Sequence, residues 1–110
     1  AQTGDLDGGY EAFVKARDLL QATDQLVTPA GAGLLSNMGA LKASQKEPQA
    51  SLEPLFQARG ILEKMGQEDT HSMLGILVNI TGSKWELKDA AGALEYAEKA
   101  RTVLERLQLL

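Results

Sequence analysis

The chain has 110 residues and a mass of 11.8 kDa, with 44% hydrophobic and 24% charged residues, the proportions of one folded domain and not of a disordered segment. A net charge of -4, from 11 Lys plus Arg against 15 Asp plus Glu, removes the basic footprint on which phosphate-backbone binding depends, and with no cysteine there is neither a disulfide framework nor a thiolate metal site. No apolar run approaches the roughly 18 residues of a membrane span, and no charged and apolar leader marks a targeting peptide. Neither nucleic acid nor membrane is expected as a partner, and the expected setting is cytoplasmic. The start at Ala1 instead of Met reads as a processed protein or an excised piece of a longer one.

Taken in chain order, the apolar spacing predicts five helices and no strand. The first covers about residues 5–22 and opens on Asp5, an acidic residue suited to a helix N-terminus. The second, about 29–44, follows an N-cap at Thr28 with Pro29 in the first helical position, where its missing N–H costs nothing, and keeps Leu34, Leu35, Met38 and Leu41 at helical spacing. The third, about 48–65, opens at Glu47 and Pro48. Pro54 lies inside it, so either the helix bends there or it starts later. The fourth, about 70–86, starts at Thr70 and carries Leu74, Leu77 and Ile80. The fifth, about 89–108, opens at Asp89 and shows the stripe Ala90, Ala93, Leu94, Ala97, Ala100, Leu104 and Leu107.

These helices repeat. Ala16-Arg17, Ala58-Arg59 and Ala100-Arg101 stand 42 residues apart, and the same offset aligns Glu11 with Glu53 and Glu95, Thr28 with Thr70, Gly33 with Gly75, Leu35 with Leu77, Asn37 with Asn79, and Lys42 with Lys84. A fixed period of this kind belongs to stacked supersecondary units, each burying its apolar face on the next. The chain divides into a half unit (1–27) and two units (28–69 and 70–110) of a single domain, fewer than the roughly three that usually suffice for stability, which points to a longer array or to self-association.

Leu35-x-x-Met38-Gly39 and Leu77-x-x-Ile80-Thr81, followed by Gly9-x3-Phe13-x2-Ala16, Ser51-x3-Leu55-x2-Ala58 and Ala93-x3-Ala97-x2-Ala100 in the partner helices, resemble the tetratricopeptide repeat. Small residues at Gly9, Gly39, Ser51 and Ala93 let two helices approach closely. Lys42 and Lys84 stand where that family has an aromatic, with Trp85 available to supply the ring. The period exceeds the usual value of about 34, and in this it is similar to the long-repeat subgroup typified by kinesin light chain. The resemblance implies an all-α, right-handed superhelical solenoid of antiparallel hairpins.

It also implies a concave groove for a peptide, lined by Gly33, Ser36, Asn37, Ala40 and Ser44 from the second helix and Gly75, Val78, Asn79, Gly82 and Glu86 from the fourth. Each asparagine amide offers donors and an acceptor, matching both groups of a peptide backbone; the alternative is that both amides bond neighbouring helices. The Arg17, Arg59 and Arg101 column reads either as an acidic-peptide ladder or as helix-flank arginines with packed stems. On the fifth helix, Tyr96, Val103 and Leu110 recur every seven residues as a stripe expected to lie open for homodimer contact, whereas the equivalent Ala12, Leu19 and Leu26 are expected to be covered by the second helix.

Catalytic signals are missing. The one histidine, His71, cannot build a zinc site and is expected to face solvent, and Gly31-Ala32-Gly33 lacks a preceding strand and a third glycine. The expectation is a non-enzymatic protein-interaction module without metal or cofactor, binding a protein or peptide. A self-associating structural unit and an effector-sensing domain of a regulator are the alternatives.

Overall fold

The structure is a computed structural model that describes residues 2–109, with side chains described from residue 8 onward. It contains five α-helices: α1 (Gln2–Ala22), α2 (Pro29–Ser44), α3 (Pro48–Lys64), α4 (His71–Glu86) and α5 (Ala90–Arg106). They pack in sequence as adjacent antiparallel pairs, α1 on α2, α2 on α3, α3 on α4 and α4 on α5, and α2 also touches α4. The latter two helices therefore run side by side in the same direction.

The 42-residue period holds to the residue. Both bounds of α4 lie 42 positions after those of α2, and both bounds of α5 lie 42 after those of α3. The cause is local chemistry repeated at equivalent boundaries, except that Asp89 caps α5 while Glu47 makes no side-chain cap on α3. Thr28 and Thr70, both in extended backbone, accept from the N–H three residues on, Gly31 and Met73, each at 3.1 Å. Residues of left-handed backbone follow the helix ends: Asp24, Gly66 and Gln108 after α1, α3 and α5, and Lys46 and Lys88 after α2 and α4. Lys42 pairs with Glu47, and Lys84 with Asp89, both at 3.4 Å, across the two equivalent turns.

The core runs between the helices through Leu35, Met38, Leu55, Ile76 and Ile80, with Tyr10, Phe13 and Val14 of α1 packed partly against it. Gly39 makes the α2–α3 approach possible, since a Cβ there would run into the Leu55 side chain and lie 3.1 Å from the Ser51 carbonyl oxygen. Ser51 is fully buried; its hydroxyl donates to the Pro48 carbonyl at 2.7 Å and so accepts from the Ser83 hydroxyl at 2.6 Å, tying α3 to α4. At Gly9 an added Cβ would meet nothing within 4 Å, so that residue does not serve a close approach. Helix α3 begins at Pro48 and continues through Pro54, which removes the later start.

Helix α5 corrects the sequence expectation. Its buried stripe is Ala93, Tyr96, Ala100 and Val103, while Ala90, Leu94 and Ala97 are exposed and Leu104 is half-buried. Tyr96 and Val103, expected to lie open for self-association, are 9% and 5% exposed. Tyr96 turns toward α3, where its hydroxyl accepts from Arg59 Nη1 at 3.1 Å and its ring lies 6.0 Å from that of Phe56. Leu110, the third residue of that stripe, lies outside the described residues. The converse holds at α1. Leu19, expected to be covered, is 66% exposed, because the face on which Ile61 and Val103 meet their hairpin partners has no such partner at α1 among the described residues.

Candidate functional site

The groove-facing residues expected on α2 and α4 fall along the seam between those helices, but in two separate hollows. One, of about 340 Å³, takes Gly33, Ser36 and Asn37 from α2 and Gly75 and Ile76 from α4, closed below by Leu62 and Gln67. The other, of about 280 Å³, takes Val78, Asn79, Gly82 and Glu86 from α4 together with Ala43 and Pro48. Asn37 and Asn79 thus share a seam and not a cavity. Ala40 and Ser44 line neither hollow. Ala40 is half-buried, and the Ser44 hydroxyl donates to the Leu41 carbonyl of its own helix at 2.7 Å.

Asn37 is exposed and Asn79 half-buried. Among the described residues neither amide hydrogen-bonds a neighbouring helix, unlike the buried hydroxyls of Ser51 and Ser83, which join α3 to α4. The seam is shallow because small residues border it: Gly33, Ser36, Gly75 and Gly82 leave backbone close to the surface.

His71 and Ser72, in the first turn of α4, also border the first hollow. Sequence reasoning left His71 aside as a solitary exposed residue, which it is; its counterpart one period earlier is Pro29, on the same hollow, and that correspondence was the available signal.

Two arginines of the column make contacts within the fold, while Arg101 is exposed. Arg17 pairs with Asp18 at 3.2 Å, and Arg59 reaches both Tyr96 and, at 3.4 Å, Glu63. Lys42 and Lys84 lie over aromatic rings of the preceding helices, at 4.2 Å from the Tyr10 centroid and 5.7 Å from that of Phe56. Trp85 is 67% exposed and does not supply a core ring.

The electrostatics of the turn before α5 are specific. Asp89 caps the helix by accepting from the Gly92 N–H at 2.9 Å, and this bond, opposed by desolvation and aided by Lys84, holds its carboxyl below the ordinary aspartate value. Among the described residues no group of three or more His, Asp or Glu gathers into a metal-binding cluster, and no helix is long and apolar enough to cross a membrane.

No protein-family model, curated protein or solved structure matches the chain.

Proposed function

We propose that the chain is a non-catalytic interaction module of the tetratricopeptide type, a superhelical stack of hairpins whose α2–α4 seam holds an extended peptide by its backbone. The observation that carries this reading is the repetition of one unpartnered amide, Asn37 and Asn79, at the same register on two helices that run side by side. Helices in contact lie about 8–10 Å apart, and an extended chain advances about 3.3 Å per residue. Two such amides therefore address backbone groups about three residues apart, each able to donate and accept. Glycine and serine around them leave room for the peptide's side chains, so the seam favours chain direction and spacing over side-chain identity.

The test starts from a random peptide library displayed against the full chain. The best binder, made synthetically, should bind the Asn37→Ala/Asn79→Ala double variant about tenfold more weakly, the effect of two lost hydrogen bonds. The melting temperature should not move, since neither amide supports another helix. An unchanged Kd would remove the seam as the binding surface.

A further inference from the structure

The exact repetition of the backbone allows α4 to be read as the natural occupant of one face of α3, and the same face of α5 to be examined for what it lacks. On α3, Ser51 meets Ser83 at 2.6 Å, Phe56 carries Lys84 over its ring at 5.7 Å, and Leu62 borders a hollow with Gly75 and Ile76. One period on, these α3 positions are Ala93, Glu98 and Leu104 of α5. Ala93 is already buried within the fold, but no described helix lies over Glu98 and Leu104 from the far side. Leu52 of α3 is 5% exposed, whereas its counterpart Leu94 is 62% exposed. Ala43 of α2 borders the seam against α4, whereas its counterpart Trp85 stands in solvent.

We infer that the outer face of the last hairpin, built on Leu94, Ala97, Leu104 and Trp85 and flanked by Glu98, is a docking site for an amphipathic helix of the kind that α4 presents to α3. This goes beyond the peptide seam and does not depend on it. The molecule holds a template of the complex in its own α3–α4 contact, and the template states the partner's chemistry. A glycine followed by a large aliphatic residue, as in Gly75-Ile76, seats on Leu104 as it does beside Leu62. A lysine nine residues after that glycine, as at Lys84, meets the Glu98 carboxylate in place of the Phe56 ring.

Trp85 is the chain's one tryptophan, so the face reports on itself. The probe is a synthetic peptide with the sequence of Gln67–Lys88 carrying Trp85→Phe, titrated into the full chain. The expected result is a saturable blue shift of Trp85 emission from a chain that is monomeric by light scattering. Leu94→Glu should weaken binding about tenfold or more, with helicity retained because that side chain is exposed. Leu19→Glu, at the opposite end, should leave binding unchanged. Glu98→Lys should weaken it about threefold, and a peptide with Lys84→Glu should restore it. The inference fails if no saturable shift occurs, if the shift is indifferent to Leu94→Glu, if Leu19→Glu abolishes it, or if the charge exchange gives no rescue. It fails equally if the chain alone forms a dimer that shields Trp85, which would make a second copy the occupant.

Discussion

The α2–α3 and α4–α5 hairpins share every helix boundary at a 42-residue offset, yet they divide their bulk differently. In the first, Gly39 makes way for the buried Leu55; at the equivalent places of the second stand Thr81, half-buried, and Ala97, exposed, so that interlock is not repeated. At the entry to the first, Leu26 turns inward, its carbonyl accepting from the Thr28 N–H at 2.9 Å and blocking any side chain at Gly31. At the entry to the second, Glu68 stays outside and Met73, the counterpart of Gly31, is buried. Backbone register is thus conserved between the units while volume is balanced locally within each. Close packing explains this, because an interior at crystal-like density tolerates exchange of bulk between neighbours but not its addition.

The sharpest way to break the comparison is to add bulk on one side only. Gly39→Val should cost about 3 kcal/mol through collision with Leu55, whereas Thr81→Val should stay within about 0.5 kcal/mol; urea unfolding of both variants measures the difference. Next in size, Leu52→Ala should cost about 2–3 kcal/mol as a buried deletion, while Leu94→Ala should change stability by less than about 0.5 kcal/mol. Equal losses would mean that Leu94 is covered in solution. A smaller effect of opposite sign is expected at Gln45, whose side-chain oxygen is buried without a partner at the end of α2. Its counterpart is Leu87, packed against the core. Gln45→Leu should therefore stabilise by about 1 kcal/mol, seen as a rise in the urea midpoint.

The least effect concerns acid. Asp89 has its carboxyl pKa lowered in the folded state by the Gly92 N–H, with help from Lys84. The stabilisation from this cap is accordingly present above the ordinary aspartate value and is lost as the pH falls through the lowered one. Asp89→Asn keeps an oxygen acceptor at the N-cap but removes this titration. Its unfolding free energy relative to the parent should be flat near neutrality and converge on or exceed the parent's in strong acid. An unaltered gap across that range would contradict the assignment.

Much of the fold was legible because its boundaries are local. Thr28, Thr70 and Pro48 announce helix starts through their own backbone chemistry, and a regular offset multiplies the evidence from each. The seam was half legible. The offset placed Asn37 and Asn79 on the same face of their helices, but the sequence contains no measure of how α2 and α4 are set against each other, so their division between two hollows was not foreseen. The exposure of Leu19 was missed for a related reason: the second helix was expected to cover that face, but α2 packs on α1 without reaching it.

The sequence by itself determined where helices begin and end, that they alternate in a 42-residue period, and that small residues such as Gly39 mark close crossings. Only the tertiary structure decided which side of α5 faces inward. That helix carries two apolar stripes, Leu94-Ala97-Leu104 and Tyr96-Val103, and adjacent positions point about 100° apart on a helix. Periodicity alone cannot rank two such stripes. The choice went to Tyr96 and Val103, which find a guanidinium and an aromatic ring on α3 and the apolar residues of α4, so the alternative stripe was left outside.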